Sequence, residues 1–155
     1  MAVELRVVPY EPEHFLRIQR KCTNLQHAMG FGTLEELARI FLRGPAYTGF
    51  ANEEIVGCGG IMLLWRGVGE AWAVASPLAG RYPKFFHKTI RQFLAWLIEK
   101  HRLERVQAMV DENFEAGLRW AWSLGFRPEG PMAKYLAGRT YIRFARITEF
   151  GMGGV

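Results

Sequence analysis

The sequence predicts an α/β (α+β) fold: a mixed, mostly antiparallel sheet with helices on its faces. Three observations predict it. Apolar residues alternate in short runs over much of the chain but recur at helical spacing in four places. The runs follow the order β-α-α-β-β-β-α-β-α-β-β, so strands and helices alternate only in the second half, which argues against a doubly wound parallel sheet. A length of 155 residues, half of them apolar and 14% aromatic, suffices for one core without disulfides.

The elements follow in order. Residues 4–8 alternate as a short strand. Glu11 and Pro12 open a helix, proline suiting the first helical position, with Phe15, Ile18 and Cys22 on one face. The stretch 29–32 is a break. Thr33 and Glu36 have the spacing of a capping box, and Leu34, Leu37, Ala38 and Phe41 follow at helical intervals. Residues 46–52 and 54–65 read as strands with a tight turn at Asn52-Glu53, and a turn over 66–69 leads to a third strand over 70–76. Residues 83–100 form the clearest helix, with Phe86, Ile90, Phe93, Leu94 and Leu97 as its apolar stripe. A strand over 105–110 and a helix over 113–124, stopped by Gly125, come next. Two strands, 132–136 and 139–147, joined at Ala137-Gly138, complete the order. A single domain over 1–150 with a loose tail at 151–155 is expected.

Charge and cysteine content narrow the function. Twenty Lys and Arg against 15 Asp and Glu give +5, and fifteen of the cations are arginine. Arginine suits bidentate contact with phosphate or carboxylate, so the balance reads either as a solvated basic surface or as a site for a polyanionic ligand. No five basic residues run together, which argues against a nucleic-acid-binding arm. The longest apolar run, 55–65, has 11 residues with three glycines, too short to span a membrane, and no secretory leader is visible. Cys22 and Cys58 cannot by themselves build a disulfide framework or a four-ligand zinc site, and the four histidines show no ligand spacing with them, so no metal is expected. A cytoplasmic protein with free buried thiols is the expectation. The five tryptophans are expected chiefly in the core, with any surplus aromatic surface available to a homodimer contact.

Residues 69–88 carry the chemistry. In the strand over 70–76, Glu70, Trp72, Val74 and Ser76 share one face, and Gly69, Ala71, Ala73 and Ala75 share the other. The all-small face admits close packing, most simply of a helix. Glu70 reads either as a carboxylate poised as a general base or as the wet end of a strand. The segment Ser76-Pro-Leu-Ala-Gly80-Arg-Tyr-Pro83 then joins a strand to a helix N-terminus, where unpaired N–H groups favour anions. Arg81, Lys84 and Lys88 add full charges. This reads as a diphosphate cradle or as an ordinary crossover with surface cations.

Three pieces, in this order and spacing, resemble the GNAT (Gcn5-related) N-acetyltransferase superfamily over residues 3–147. Ile55-Val-Gly-Cys-Gly-Gly60, a turn and Glu70-Ala-Trp-Ala-Val-Ala-Ser-Pro77 are similar to the family's central strands. Asn113-Phe-Glu-Ala116 with Ser123-Leu-Gly-Phe126 is similar to its last core helix. Phe126-Arg-Pro-Glu-Gly130 with Tyr135-Leu-Ala-Gly138-Arg139 is similar to its closing hairpin. The resemblance implies a sheet of six to seven strands flanked by about four helices. It also implies acetyl-CoA bound where two central parallel strands part, its pyrophosphate on the loop after the fourth strand. The positions it assigns to that cosubstrate are Val74, Ala75, Ser76, Gly80, Arg81, Tyr82, Lys84, Phe85 and Asn113.

The resemblance implies direct transfer to a small-molecule or peptide amine. Glu70 would take the amine proton, and an N–H near Val74 or Ala75 would stabilise the oxyanion. The acceptor groove would involve residues 31–43 and 131–139. The chain departs from the family pattern at several places. The loop has one glycine after Pro77, Pro83 has no N–H, and Phe85 and Phe86 stand where small residues are usual. Ala121 stands where the family often has a proton-donating tyrosine, and Asn113 lies one residue farther from Gly125 than is usual. Tyr135 reads either as a substitute donor or as a packing residue of the closing strand. An alternative is a non-catalytic GNAT-fold binding or assembly protein, similar to some that phages encode. The transferase reading requires that the Phe85 and Phe86 rings leave the helix N-terminus at Pro83 open.

Overall fold

The computed structural model describes residues 2–19 and 33–151. Among them the elements are β1 (Leu5–Pro9), α1 (Pro12–Gln19), α2 (Leu34–Ile40), β2 (Ala46–Ala51), β3 (Glu54–Trp65), β4 (Val68–Ala75), a 3-10 turn (Pro77–Gly80), α3 (Pro83–His101), β5 (Arg105–Asp111), α4 (Glu115–Ser123), β6 (Arg127–Leu136) and β7 (Arg139–Ile147). The seven strands form one sheet in the order β1-β2-β3-β4-β5-β7-β6. The pairs β1–β2, β2–β3, β5–β7 and β6–β7 are antiparallel, and β4–β5 is parallel. This is the mixed, mostly antiparallel sheet that the sequence predicts. The assignments of Cys22 and of the break at 29–32 lie outside the described residues. The chain clusters into two compact units, residues 1–62 with 72–94, and residues 63–71 with 95–155.

In the first unit, α1 and α2 lie over one face of β1–β4. Phe15 and Ile18 of α1 and Leu37 and Ala38 of α2 are buried with Tyr10, Phe41, Phe50, Ile55 and Cys58. Trp72 of β4 stacks on Phe41, with ring centroids 3.7 Å apart and planes 9° from parallel. The Tyr10 hydroxyl donates to the Ala38 carbonyl at 2.8 Å, tying the end of β1 to α2. Thr33 caps α2 as its spacing predicts: its side chain accepts from Glu36 N–H while the Glu36 carboxylate accepts from Thr33 N–H. Asn52 takes a φ of 53° in the β2–β3 turn and binds Glu4 through both backbone and side chain.

The opposite face of the same strands receives α3. Gly49 and Gly57 are cross-strand partners on β2 and β3. A methyl group built on Gly49 would stand 3.2 Å from Phe85 Cε2. One on Gly57 would stand 2.5 Å from Phe86 Cε1 and 2.9 Å from the Val74 carbonyl oxygen. The two rings therefore occupy the volume that side chains at the glycine pair would need. Close helix packing occurs, but mainly on the β2–β3 glycines; Ala73 of the small-residue face of β4 stays exposed.

A buried polar chain runs beneath the helices. His14 Nδ1 lies 2.8 Å from Thr48 Oγ1, which in turn lies 3.4 Å from Cys58 Sγ. Glu11 N–H donates to the same Nδ1 at 3.1 Å, so the proton of the neutral ring sits on Nε2, 3.3 Å from the Glu11 carboxylate. Burial pushes the Cys58 thiol up to about 12 and pushes His14 below its ordinary 6.5.

In the second unit, β7 lies between β5 and β6, and α4 packs on β5. A Cβ on Gly117 of α4 would reach 2.5 Å from the Phe114 ring and 3.1 Å from Val110 Cγ1, so the glycine permits the close approach. Gly125, with φ 92°, ends the helix. Three boundaries differ most from the sequence expectation, the first being β4, which begins at Val68 inside the expected turn over 66–69 and ends at Ala75 rather than 76. The helix expected over 113–124 begins at Glu115, because the Asp111 carboxylate accepts from Asn113 N–H at 2.9 Å and draws that residue into a turn. The strand expected from 132 begins at Arg127. Pro128 and Pro131 argue against an inner strand, but β6 is the sheet edge, where proline removes no ladder bond that a neighbour needs. The tryptophans depart too: Trp65 is 68% exposed, and Trp96 and Trp122 are about half exposed. Lys100 and Arg127 cover the latter two rings by cation–π contacts of 4.7 and 4.4 Å.

Two outcomes follow from the first unit. Gly57→Ala forces a methyl group against both a ring and a carbonyl, so chemical denaturation should show a loss of about 1–3 kcal/mol. Gly49→Ala, facing only a ring edge, should cost less. His14 is held neutral by the fold, whereas the unfolded chain takes up a proton near 6.5. Stability should therefore fall as pH drops below about 6.5. The denaturation midpoint measured from pH 7 to pH 5 should decline less steeply in His14→Gln.

Candidate active site

The 3-10 turn after β4 is built by Ser76. Its hydroxyl donates to the Ile55 carbonyl at 2.6 Å and accepts from Leu78 N–H at 3.2 Å, while its own N–H binds the Val56 carbonyl at 2.9 Å. Ser76 is buried, and its polar groups are taken up by holding the loop to β3. Within the turn, Arg81 N–H and Tyr82 N–H both donate to the Leu78 carbonyl, at 2.9 and 3.2 Å. The first intrahelical bond of α3 is Phe86 N–H to Tyr82. Lys84 and Phe85 are therefore the amides at the helix start that find no carbonyl among the described residues. Gly80 lies at the end of the turn with open space where a side chain would stand.

Three cations of the loop and the first turns of α3 lie at this start. α3 has no acidic residue in its first turn, and Arg81, Lys84 and Lys88 are all exposed. The Phe85 and Phe86 rings reach to Gly49 and Gly57 on the sheet, so they pack beneath the helix. Their tips lie against the sheet.

Strand geometry separates Val74 from Ala75. Ser76 N–H bonds β3, and the Val74 carbonyl lies beside Gly57 of β3. Backbone groups alternate along a strand, so Val74 also directs its N–H toward β3. Ala75 directs its N–H to the other edge. Trp72 Nε1 is a buried donor with no hydrogen-bond partner among the described residues.

The second unit holds the carboxylate and the phenol. Glu70 closes the parallel ladder, paired with Gln107, although β4 runs on to Ala75 and β5 to Asp111. Its Oε1 accepts from Gln107 Nε2 at 3.1 Å. Tyr135 lies in an irregular stretch where the β6–β7 register shifts between Met132 and Leu136, next to Lys134 with φ 54°. Its ring is 5.4 Å from that of Tyr141. Burial, and secondarily the Glu70 charge, raise the Tyr135 phenol above its ordinary value, with Arg143 opposing. Glu70 and Tyr135 are thus brought into one electrostatic neighbourhood, and the phenol keeps its proton at neutral pH.

Asn113 lies in the β5–α4 turn, fixed by Asp111, which also accepts from Arg139 Nε. Ala121, which the sequence resemblance sets at a tyrosine position, is buried, with its carbonyl accepting from Phe126 N–H at 3.0 Å. Sequence reading missed Gln107 and Arg105. A polar residue alternating with Val106 and Ala108 looks like any solvent-facing strand position. Asp111, the sole aspartate, precedes Glu-Asn and carries a turn signal that was available.

No protein-family profile and no curated protein sequence matches the chain. Solved structures do. The ribosomal-protein-S18-alanine N-acetyltransferase from Escherichia coli superposes with a TM-score of 0.77 at 13% identity, covering 96% of this chain and 97% of that one. A spermidine N-acetyltransferase SpeG chimera of Vibrio cholerae and hSSAT gives 0.71 at 12% identity, with 92% and 95% covered. The ribosomal-protein-S5-alanine acetyltransferase from Vibrio fischeri gives 0.69 at 15% identity, with 96% and 98% covered. The chain has the GNAT acetyltransferase fold.

Proposed function

We propose that the protein is an acetyl-CoA-dependent N-acetyltransferase acting on a small-molecule or peptide amine by direct transfer, in the cytoplasm. The observation that carries this reading is the start of α3. Among the described residues no carbonyl claims the amides of Lys84 and Phe85, which stand beside the exposed Arg81, Lys84 and Lys88, and both phenyl rings reach to the sheet. Two amides and three cations suit a diphosphate. Arg81 and Tyr82 then contribute through their side chains, since their N–H groups bond Leu78.

Glu70 accepts the amine proton, through a water, as the amine attacks the thioester carbonyl. The Ala75 N–H, directed away from β3, meets the developing oxyanion. Collapse of the tetrahedral intermediate expels the CoA thiolate, and Tyr135, still protonated at neutral pH, is the donor to it. The buried Ala121 and the closed Arg81 and Tyr82 amides favour one alternative, a non-catalytic GNAT-fold binding or assembly protein such as some phages encode.

Calorimetric titration separates the two readings. Acetyl-CoA should bind with a dissociation constant between about 1 μM and 1 mM, more weakly at high salt and in Lys84→Ala. No binding at millimolar ligand would end the transferase reading. Against a panel of amines, Glu70→Gln should lower kcat by about 10²- to 10⁴-fold with acetyl-CoA binding retained. Binding without turnover on any amine would favour the alternative.

A further inference from the structure

A hydrogen-bonded chain of four side chains crosses the second unit and ends on Glu70. The Glu129 carboxylate takes both terminal nitrogens of Arg105, at 2.9 and 2.6 Å. Arg105 Nε donates to Gln107 Oε1 at 3.1 Å, and Gln107 Nε2 donates to Glu70 Oε1 at 3.1 Å. The register explains the assembly: Arg105 and Gln107 are two apart on β5 and share a face, and Gln107 is the ladder partner of Glu70.

Each link fixes the next. A guanidinium forked on a carboxylate has one orientation, and its remaining Nε–H then points at the Gln107 amide. An amide can meet a donor only with its oxygen, so the NH2 end must face Glu70. A flipped amide would set oxygen against carboxylate and NH2 against guanidinium. At the far anchor, the hydrogen bonds to Arg105 hold the Glu129 carboxyl below its ordinary value. At the near end, Glu70 Oε1 is held while its Oε2 accepts no hydrogen bond among the described residues.

We propose that Gln107 and Arg105 are positioning residues for Glu70, pinning one carboxylate oxygen so that the other is presented to the acceptor amine or its water. The proposal rests on the reading of Glu70 as general base. It goes further in naming the device that aims the carboxylate, and Glu129 as its anchor.

The side-chain amide of Gln107 reports on the chain directly by ¹⁵N–¹H NMR of the whole protein. In the wild type its two protons should be widely separated and slow to exchange. They should collapse to ordinary amide positions in Glu70→Ala, and also in Arg105→Lys, which keeps a charge for Glu129 but loses the Nε donor. In kinetics, Gln107→Met should lower kcat about tenfold, the effect of one charge-assisted hydrogen bond, with KM for acetyl-CoA unchanged. Arg105→Lys should lower kcat in the wild-type background and add nothing in Gln107→Met, because it acts through Gln107. An unchanged Gln107 amide in Arg105→Lys, or fully additive losses, would overturn the relay alone. Full turnover in Glu70→Gln would overturn the base reading, and with it the catalytic meaning of the relay.

Discussion

Two phenyl rings on the first turn of one helix need room, and the sheet supplies it by omitting two side chains. Gly49 and Gly57 face each other across β2 and β3, and Phe85 and Phe86 fill the volume above them. The position of α3 follows from this contact. A helix whose first turn lies against the glycine pair cannot slide along the sheet without driving its rings into neighbouring side chains, since cores are close-packed and do not yield by fractions of an ångström. The contact therefore fixes where the N–H groups of Lys84 and Phe85 stand. The departure of Phe85 and Phe86 from the family's small residues is matched on the strands beneath them.

The loop between β4 and α3 meets a second constraint, the obligation of every buried backbone group to find a partner. Ser76 meets it by binding β3 and by capping a 3-10 turn that the sequence did not announce. That turn draws in the amides of Arg81 and Tyr82, which a looser glycine-rich loop would leave for a ligand. What remains for an anion is a shorter row of amides with a denser set of cations around it. On the proposed reading, electrostatic attraction would replace part of the backbone cradle, and such attraction is the part of binding most sensitive to salt.

The fold was legible in the sequence because its local signals agree with its global plan. The capping box at Thr33, the apolar run over 55–65, the helical stripe from Pro83 and the turn at Ala137-Gly138 each name their element. What was not legible depends on partners distant in the chain. Pro128 and Pro131 look like strand breakers until β6 is known to be an edge. Trp65 looks like a core residue until β3 is seen to run on to an exposed end. Glu70 stood out by residue type, but Gln107, which donates to Glu70, has no distinguishing feature on its own strand. Its meaning comes from the register of a parallel pair 37 residues apart, and parallel register leaves no turn between the strands to read.

That register also bears on Ala121. In the proposed transfer a proton donor must lie where the leaving thiolate forms, and Ala121 is buried in α4. The irregular stretch of β6 offers another phenol. The shift between Met132 and Leu136 places three residues of β6 against one of β7, and such an excess redirects the side chains within it. Tyr135, redirected in this way, feels the charge of Glu70. A carboxylate that takes a proton and a phenol that holds one are complementary in direct transfer, because the first is active when ionised and the second when neutral. Burial first, and the Glu70 charge second, raise the Tyr135 phenol above its ordinary value, which is the direction the proposed donor role requires.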